Sequence, residues 1–333
     1  MKRKRFIAGP IRKIFSNGAG FTPLEMTVSN RVKNHRSKRF LTGFTIVELL
    51  TVIAVIAILM AILIPALAMV RRIAKETQQR AQFTTLDLAI LAFKGDRGDY
   101  PPSGPERDGT VFCSGAQKLA EALLGRDLLG FHSDSIFRGD GMNPNLTPPY
   151  DDLYPANLDP ETDPVHRDNL GKRKGPYLDV ATANAFRLGG ANGLFVDTGM
   201  LDADAFVICD VFGIKNITLA KGQVVRAGTP ILYYRANTSS KIMDWNRQDE
   251  SIYNWKDNQP LLSLGRLPVP EARPPHSLFA DDGRKFYNEG VEDYKIIDPR
   301  ITTTKWPHRA DSYILISAGA DGEYGTNDDI LNF

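Results

Sequence analysis

Cysteine is scarce in this sequence: 333 residues contain two, Cys113 and Cys209. Their separation matches no metal-ligand spacing, which excludes a zinc knuckle or a CxxC redox pair. Two uses stay open for them, one disulfide if the body is exported, or burial as small apolar side chains. Catalytic signatures are missing as well. The chain holds no GxSxG, HExxH, GxGxxG or phosphate-loop motif. Its histidines, His35, His132, His166, His276 and His308, are scattered and read as surface-loop residues rather than ligands or bases. No repeat of solenoid period is visible. Arg97-Gly98-Asp99 and Arg138-Gly139-Asp140 spell a short adhesion tripeptide that chance often supplies in polar loops, and no function attaches to them.

Acid is nearly absent from the start of the chain. Residues 1–43 carry eleven Lys/Arg and a single acid, Glu25, a net of +10 against +2 for the whole chain, so the remainder is acidic by 8. At 42% hydrophobic and 24% charged, the sequence is neither a disordered polar tract nor a polytopic membrane protein. The acidic body argues against nucleic-acid contact.

What the sequence does have is one long apolar run, residues 44–70, FTIVELLTVIAVIAILMAILIPALAMV. It exceeds the roughly 20 residues that a helix needs to cross a bilayer. The basic flank before it favours the cytoplasmic side, which puts the acidic body across the membrane. A cleaved secretory signal has a shorter apolar core, and a buried core helix is seldom so uniformly apolar. A plain anchor has no reason to keep Glu48, since a carboxylate near the bilayer centre costs about 2.5–3.5 kcal/mol.

Gly43-Phe44-Thr45-Ile46-Val47-Glu48-Leu49-Leu50 resembles the processing motif of type IV prepilins and type II secretion pseudopilins. The resemblance implies that a membrane prepilin peptidase/methyltransferase cuts after Gly43 and methylates the new terminus at Phe44. Glu48 is then the fifth residue after the cut, and Pro65 stands at the twenty-second, where the family often has a proline. Glu48 of one subunit could pair with the Phe44 amine of a neighbour, neutralising two charges in apolar surroundings and setting axial register. Pro65 is expected to kink or locally melt the helix. A leader of 43 residues is long for this family, and Met26 is an alternative start. Gly20-Phe21-Thr22-Pro23-Leu24-Glu25 mimics the motif, but the SNRVKNHRSKR that follows cannot enter a membrane. The cut is expected at Gly43.

Residues 71–95 continue the helix with an amphipathic pattern, Ile73, Phe83, Leu86, Ile90 and Phe93 forming one stripe. Residues 96–333 form the head. Within it a helix is expected over 115–129 and strands over 205–212, 223–236 and 313–319, with irregular insertions near 131–177 and 238–310, the second holding all three tryptophans. The expected class is α+β, pilin-like: a long N-terminal helix spine, its first half membrane-spanning, carrying an antiparallel sheet head.

The tail, residues 313–330, YILISAGADGEYGTNDDI, resembles the C-terminal loop of major pseudopilins, which binds calcium in that family. Ca²⁺ takes six to eight oxygens, and the clustered carboxylates and glycines suit it. Asp321, Asp328 and Asp329 are the side-chain candidates, and the Leu315 and Ser317 carbonyls the backbone ones. Asn327 stands where the family often carries an acid. A solvated Asp/Gly turn is the alternative.

The expectation is a non-enzymatic fibre subunit of a secretion pseudopilus or type IV pilus. Its partners would be the prepilin peptidase, copies of itself, other pseudopilins and an inner-membrane assembly platform. It would sit in the inner membrane as a single-pass protein, head in the periplasm, before entering the fibre. A membrane-tethered periplasmic enzyme or ligand-binding protein with a borrowed prepilin leader is the alternative, kept open by the two insertions.

Overall fold

The computed structural model describes residues 43–104, 111–143, 152–219, 222–268, 274–290 and 294–333. The basic leader, with Met26 and the Gly20-Phe21 motif, lies outside them. Contacts divide the chain after Ile58 into two units, the second comprising everything from Leu59 onward. The class is α+β, with one long apolar N-terminal helix and small antiparallel sheets.

Helix α1 runs Ile46–Arg97, 52 residues without interruption. Pro65 lies inside it and does not melt it, because a proline removes one amide hydrogen bond from a segment held by many others. The apolar part is exposed residue after residue, Ile46 by 77% and Ile62 by 68%. By length and composition it can cross a membrane. Further along, Gln79, Phe83, Leu86, Ala89, Ile90 and Phe93 form a buried stripe at helical spacing. Ile73, expected in that stripe, is 50% exposed, and the glutamine takes a buried place nearer the head. The Gln79 side chain accepts a hydrogen bond from the Val211 amide at 3.0 Å, and the Lys75 ammonium donates to the Val211 carbonyl at 2.8 Å. Gln82 donates to the Cys209 carbonyl at 2.9 Å. Polar side chains of α1 thus satisfy backbone that no strand partner reaches.

Helix α2, Gly115–Leu124, is buried along its whole length. Ser114 caps it, and Ser114 with Gln117 completes a reciprocal capping box. It stops short of the expected residue 129 at Gly125, whose φ of 82° leaves the helical region and whose amide closes on the Glu121 carbonyl.

Among the described residues the head has four small antiparallel sheets where one was expected. β1 Phe131–His132 pairs with β2 Arg173–Lys174, and between them lies helix α3, Pro164–Gly171. β3 Ala185–Arg187 pairs with β4 Phe206–Ile208, and β5 Lys215–Thr218 with β6 Val224–Ala227. β7 Leu232–Arg235, β8 Tyr313–Ser317 and β9 Ile330–Leu331 form the central sheet in that order. The expected strand 223–236 breaks into β6 and β7 at Gly228, where a Cβ would stand 2.1 Å from the Asp210 carboxylate.

Both faces of β7 and β8 are covered, and their side chains alternate between two cores. Tyr233, Tyr313 and Leu315 join the α1 stripe and Leu119 and Leu123 of α2. Leu232, Tyr234, Ile314 and Ile316 face the other way, into a core built with Trp255, Leu262, Phe286 and Tyr287. Residues 238–310 are therefore no detached insertion. They supply Trp255, Leu262, Phe286 and Tyr287 to the core behind β7 and β8, which explains the apolar run of β8. At Gly283, with φ +74°, an added Cβ would meet the Trp255 ring at 2.3 Å.

Candidate functional sites

The first site is the start of α1. Thr45 is the residue before the helix, and Glu48 lies one turn in. The Glu48 carboxylate accepts the Thr45 amide at 2.8 Å and the Thr45 hydroxyl at 2.9 Å, while the Thr45 hydroxyl accepts the Glu48 amide at 3.2 Å. This is a capping box: two backbone amides that the helix leaves unpaired are satisfied reciprocally. Gly43 and Phe44 precede the helix and are exposed, Phe44 by 73%. Thr45 was not singled out from the sequence as a functional residue. The Thr-x-x-Glu spacing ahead of an apolar run is the signal that could have found it.

The second site is the loop between β8 and β9. Gly319, Gly322 and Gly325 have φ of +67°, +70° and +93°, and at Gly319 a Cβ would stand 2.3 Å from the Asp328 carbonyl. That close approach brings Asp321 and Asp328 together. The Asp321 amide donates to Asp328 Oδ2 at 3.1 Å, the Thr326 hydroxyl donates to Asp328 Oδ1 at 2.5 Å, and the Glu323 amide donates to Asp321 Oδ1 at 2.8 Å. Burial, with the Asp328 charge beside it, holds Asp321 above the usual carboxylate range. Burial also pushes Asp328 upward, but the hydrogen bonds from Thr326 and Asp321 outweigh it and hold that group low.

Asp329 turns inward. Its Oδ2 accepts the Gly325 amide at 2.8 Å and the Tyr294 hydroxyl, and its Oδ1 has no hydrogen-bond partner among the described residues. Burial pushes it up to about 8, with the charges of Asp328 and Asp321 adding to the effect. Leu315 and Ser317 lie within β8, and the Ser317 hydroxyl donates to Asp210 Oδ2 at 3.1 Å. Among the described residues no three His, Cys, Asp or Glu side chains stand close enough to hold a metal ion as they are. The loop thus presents a carboxylate pair, Asp321 and Asp328, with the third carboxylate bound to a tyrosine. A hard cation suits the pair because it would relieve the mutual repulsion of two adjacent carboxylates.

Cys113 and Cys209 are free and buried, so the disulfide left open by the sequence is not formed. Burial pushes the Cys113 thiol up to about 12 and Cys209 upward as well, the behaviour of small apolar residues. Two histidines read as surface residues are buried instead. Burial holds His132 and His276 down at about 4, hence neutral.

The head also carries clefts. One of about 440 Å³ lies over Ser103 and Asp257, where the Ser103 hydroxyl donates to Asp257 at 2.5 Å. Its described lining contains neither histidine, cysteine nor lysine, and the group beside the Ser103 hydroxyl is the Asp257 carboxylate. No family model matches the chain, and neither a curated protein nor a solved structure matches it.

Proposed function

We propose that this chain is a structural subunit of a type II secretion-like pseudopilus or type IV pilus. It would be cut after Gly43 by a prepilin peptidase, methylated at Phe44 and polymerised through α1 with copies of itself and with related subunits at an inner-membrane platform. The basic leader would remain cytoplasmic and the head would lie on the far side of the membrane. The observation that carries this reading is the start of α1: one carboxylate, Glu48, at the head of its exposed apolar part, directly after Gly43-Phe44.

In the isolated chain Glu48 is satisfied by its own Thr45. Cleavage would place a cationic amine on Phe44, and a neighbour's amine offers Glu48 a counter-charge that Thr45 lacks. At the other end, calcium would be held by Asp321 and Asp328, completing its shell with carbonyl oxygens.

The test is assembly. Produced in cells that hold a prepilin peptidase and an assembly ATPase, the chain should be recovered in fibres sheared from the surface or in an over-assembled pseudopilus. Recovery in the membrane fraction alone, fully processed, would count against the fibre role.

A further inference from the structure

Residues 238–310 meet the tail loop at one polar group after another. Arg266 pairs with Glu323, whose other oxygen accepts the Ser277 amide at 3.2 Å. The Leu278 amide donates to the Tyr324 carbonyl at 3.1 Å, and the Tyr324 amide donates to His276 Nδ1 at 3.3 Å. Tyr294 donates to Asp329. The next residue, Lys295, places its ammonium on two backbone carbonyls of the loop, Asn327 at 2.6 Å and Asp329 at 2.8 Å.

Those two carbonyls lie immediately before β9. That strand has only Ile330 and Leu331, paired with Ser317 and Ile316. A ladder this short cannot hold its register by itself. An ammonium on two carbonyls makes charge-assisted hydrogen bonds, stronger than neutral ones. It offers those oxygens what a hard metal ion would offer, but from a tether in the same chain. Its occupancy therefore does not depend on an ion concentration.

We propose that Lys295 is the resident cation of the tail loop, positioning the loop and β9 with no metal bound. A divalent ion, where one binds, is then a second cation at Asp321 and Asp328. This goes beyond the fibre-subunit reading and does not depend on it.

The experiment uses the full chain in detergent micelles with excess chelator, and follows amide hydrogen exchange of the peptides covering β9 and α2. Lys295→Met should speed exchange at Ile330 and Leu331 about tenfold, as expected for losing charged hydrogen bonds in one local unit. Exchange in α2 should stay as in the wild type, and Lys295→Arg should retain most of the protection. Equal β9 exchange in Lys295→Met and wild type would overturn the proposal. So would acceleration of α2 to the same degree, which means general destabilisation, or an arginine variant as unprotected as the methionine one. Added calcium forms a separate arm. If it slows exchange around Asp321 in every variant, the carboxylate pair binds it. If it does not, the calcium reading fails while the comparison in chelator stands.

Discussion

Glu48 accepts both the amide and the hydroxyl of Thr45, so the acid that the apolar helix retains also begins that helix. The same side chain is the helix cap and, under the fibre-subunit proposal, the charge offered to a neighbouring subunit. The two roles can be separated because glutamine serves in a capping box but carries no charge.

Glu48→Gln should leave membrane insertion and helix content unchanged and sharply lower fibre yield. Glu48→Ala should lower the yield as well and also weaken the cap. Insertion should not suffer in either variant, since a charge is removed from an apolar segment. Fractionation and fibre shearing measure both effects. Normal fibre yield from Glu48→Gln would show that the charge has no part in assembly.

Asp257 gives the head a pH dependence. Burial pushes its carboxyl up to about 7, with Asp249 raising it further and Ser103 and Lys118 pulling it back. The unfolded value is about 3.9. A raised folded-state value means that the fold binds the proton more tightly than the unfolded chain does. Its contribution is therefore fully present below about pH 4 and is lost as pH rises through about 7. Asp257→Asn keeps an acceptor for the Ser103 hydroxyl and should flatten the fall in urea midpoint between about pH 4 and pH 7, by up to about one proton equivalent. An unchanged slope would mean that Asp257 does not hold its proton in the folded protein. Asp210, also held up to about 7 by burial, will leave part of the slope in place.

Calcium should stabilise the full chain in detergent, because a ligand bound to the folded form alone adds about 2.7 kcal/mol at a hundredfold excess over its dissociation constant. Asp321→Ala should remove the response, since one carboxylate of the pair is lost. Asp329→Asn should reduce it far less, because that side chain is engaged with Tyr294 and Gly325. Melting curves with calcium and with chelator decide this, and curves that do not move at millimolar calcium would leave the loop a plain Asp/Gly turn.

The long helix could be read from the sequence because its apolar run and the later stripe at Phe83, Leu86, Ile90 and Phe93 are local patterns. Ile73 and Gln79 could not be sorted, since which turn first meets the head depends on where the chain around Val211 returns. The three expected runs hold β4, β6, β7 and β8, whereas β1, β2, β3, β5, β9 and the division into separate sheets were not read from the sequence. Gly228 splits β6 from β7 through the side chain of Asp210, a contact that spacing along the chain does not disclose. The stretch 238–310 looked like an insertion because its short turns lack periodicity, yet Trp255 and Tyr287 fill the core behind β8. The tail-loop acids were legible as residues and only partly as a site. Asp321 and Asp328 meet, while Tyr294, 35 residues upstream of Asp329, takes the third.

The mass of the N-terminal peptide of the mature protein decides the processing on which the fibre reading rests. Chain isolated from cells with an active prepilin peptidase should begin at Phe44 and carry one added methyl group on its amine. A terminus at Phe21, or a chain that keeps Gly43 and the basic residues before it, would contradict processing at this site and remove the basis for pairing Glu48 with a neighbour's amine.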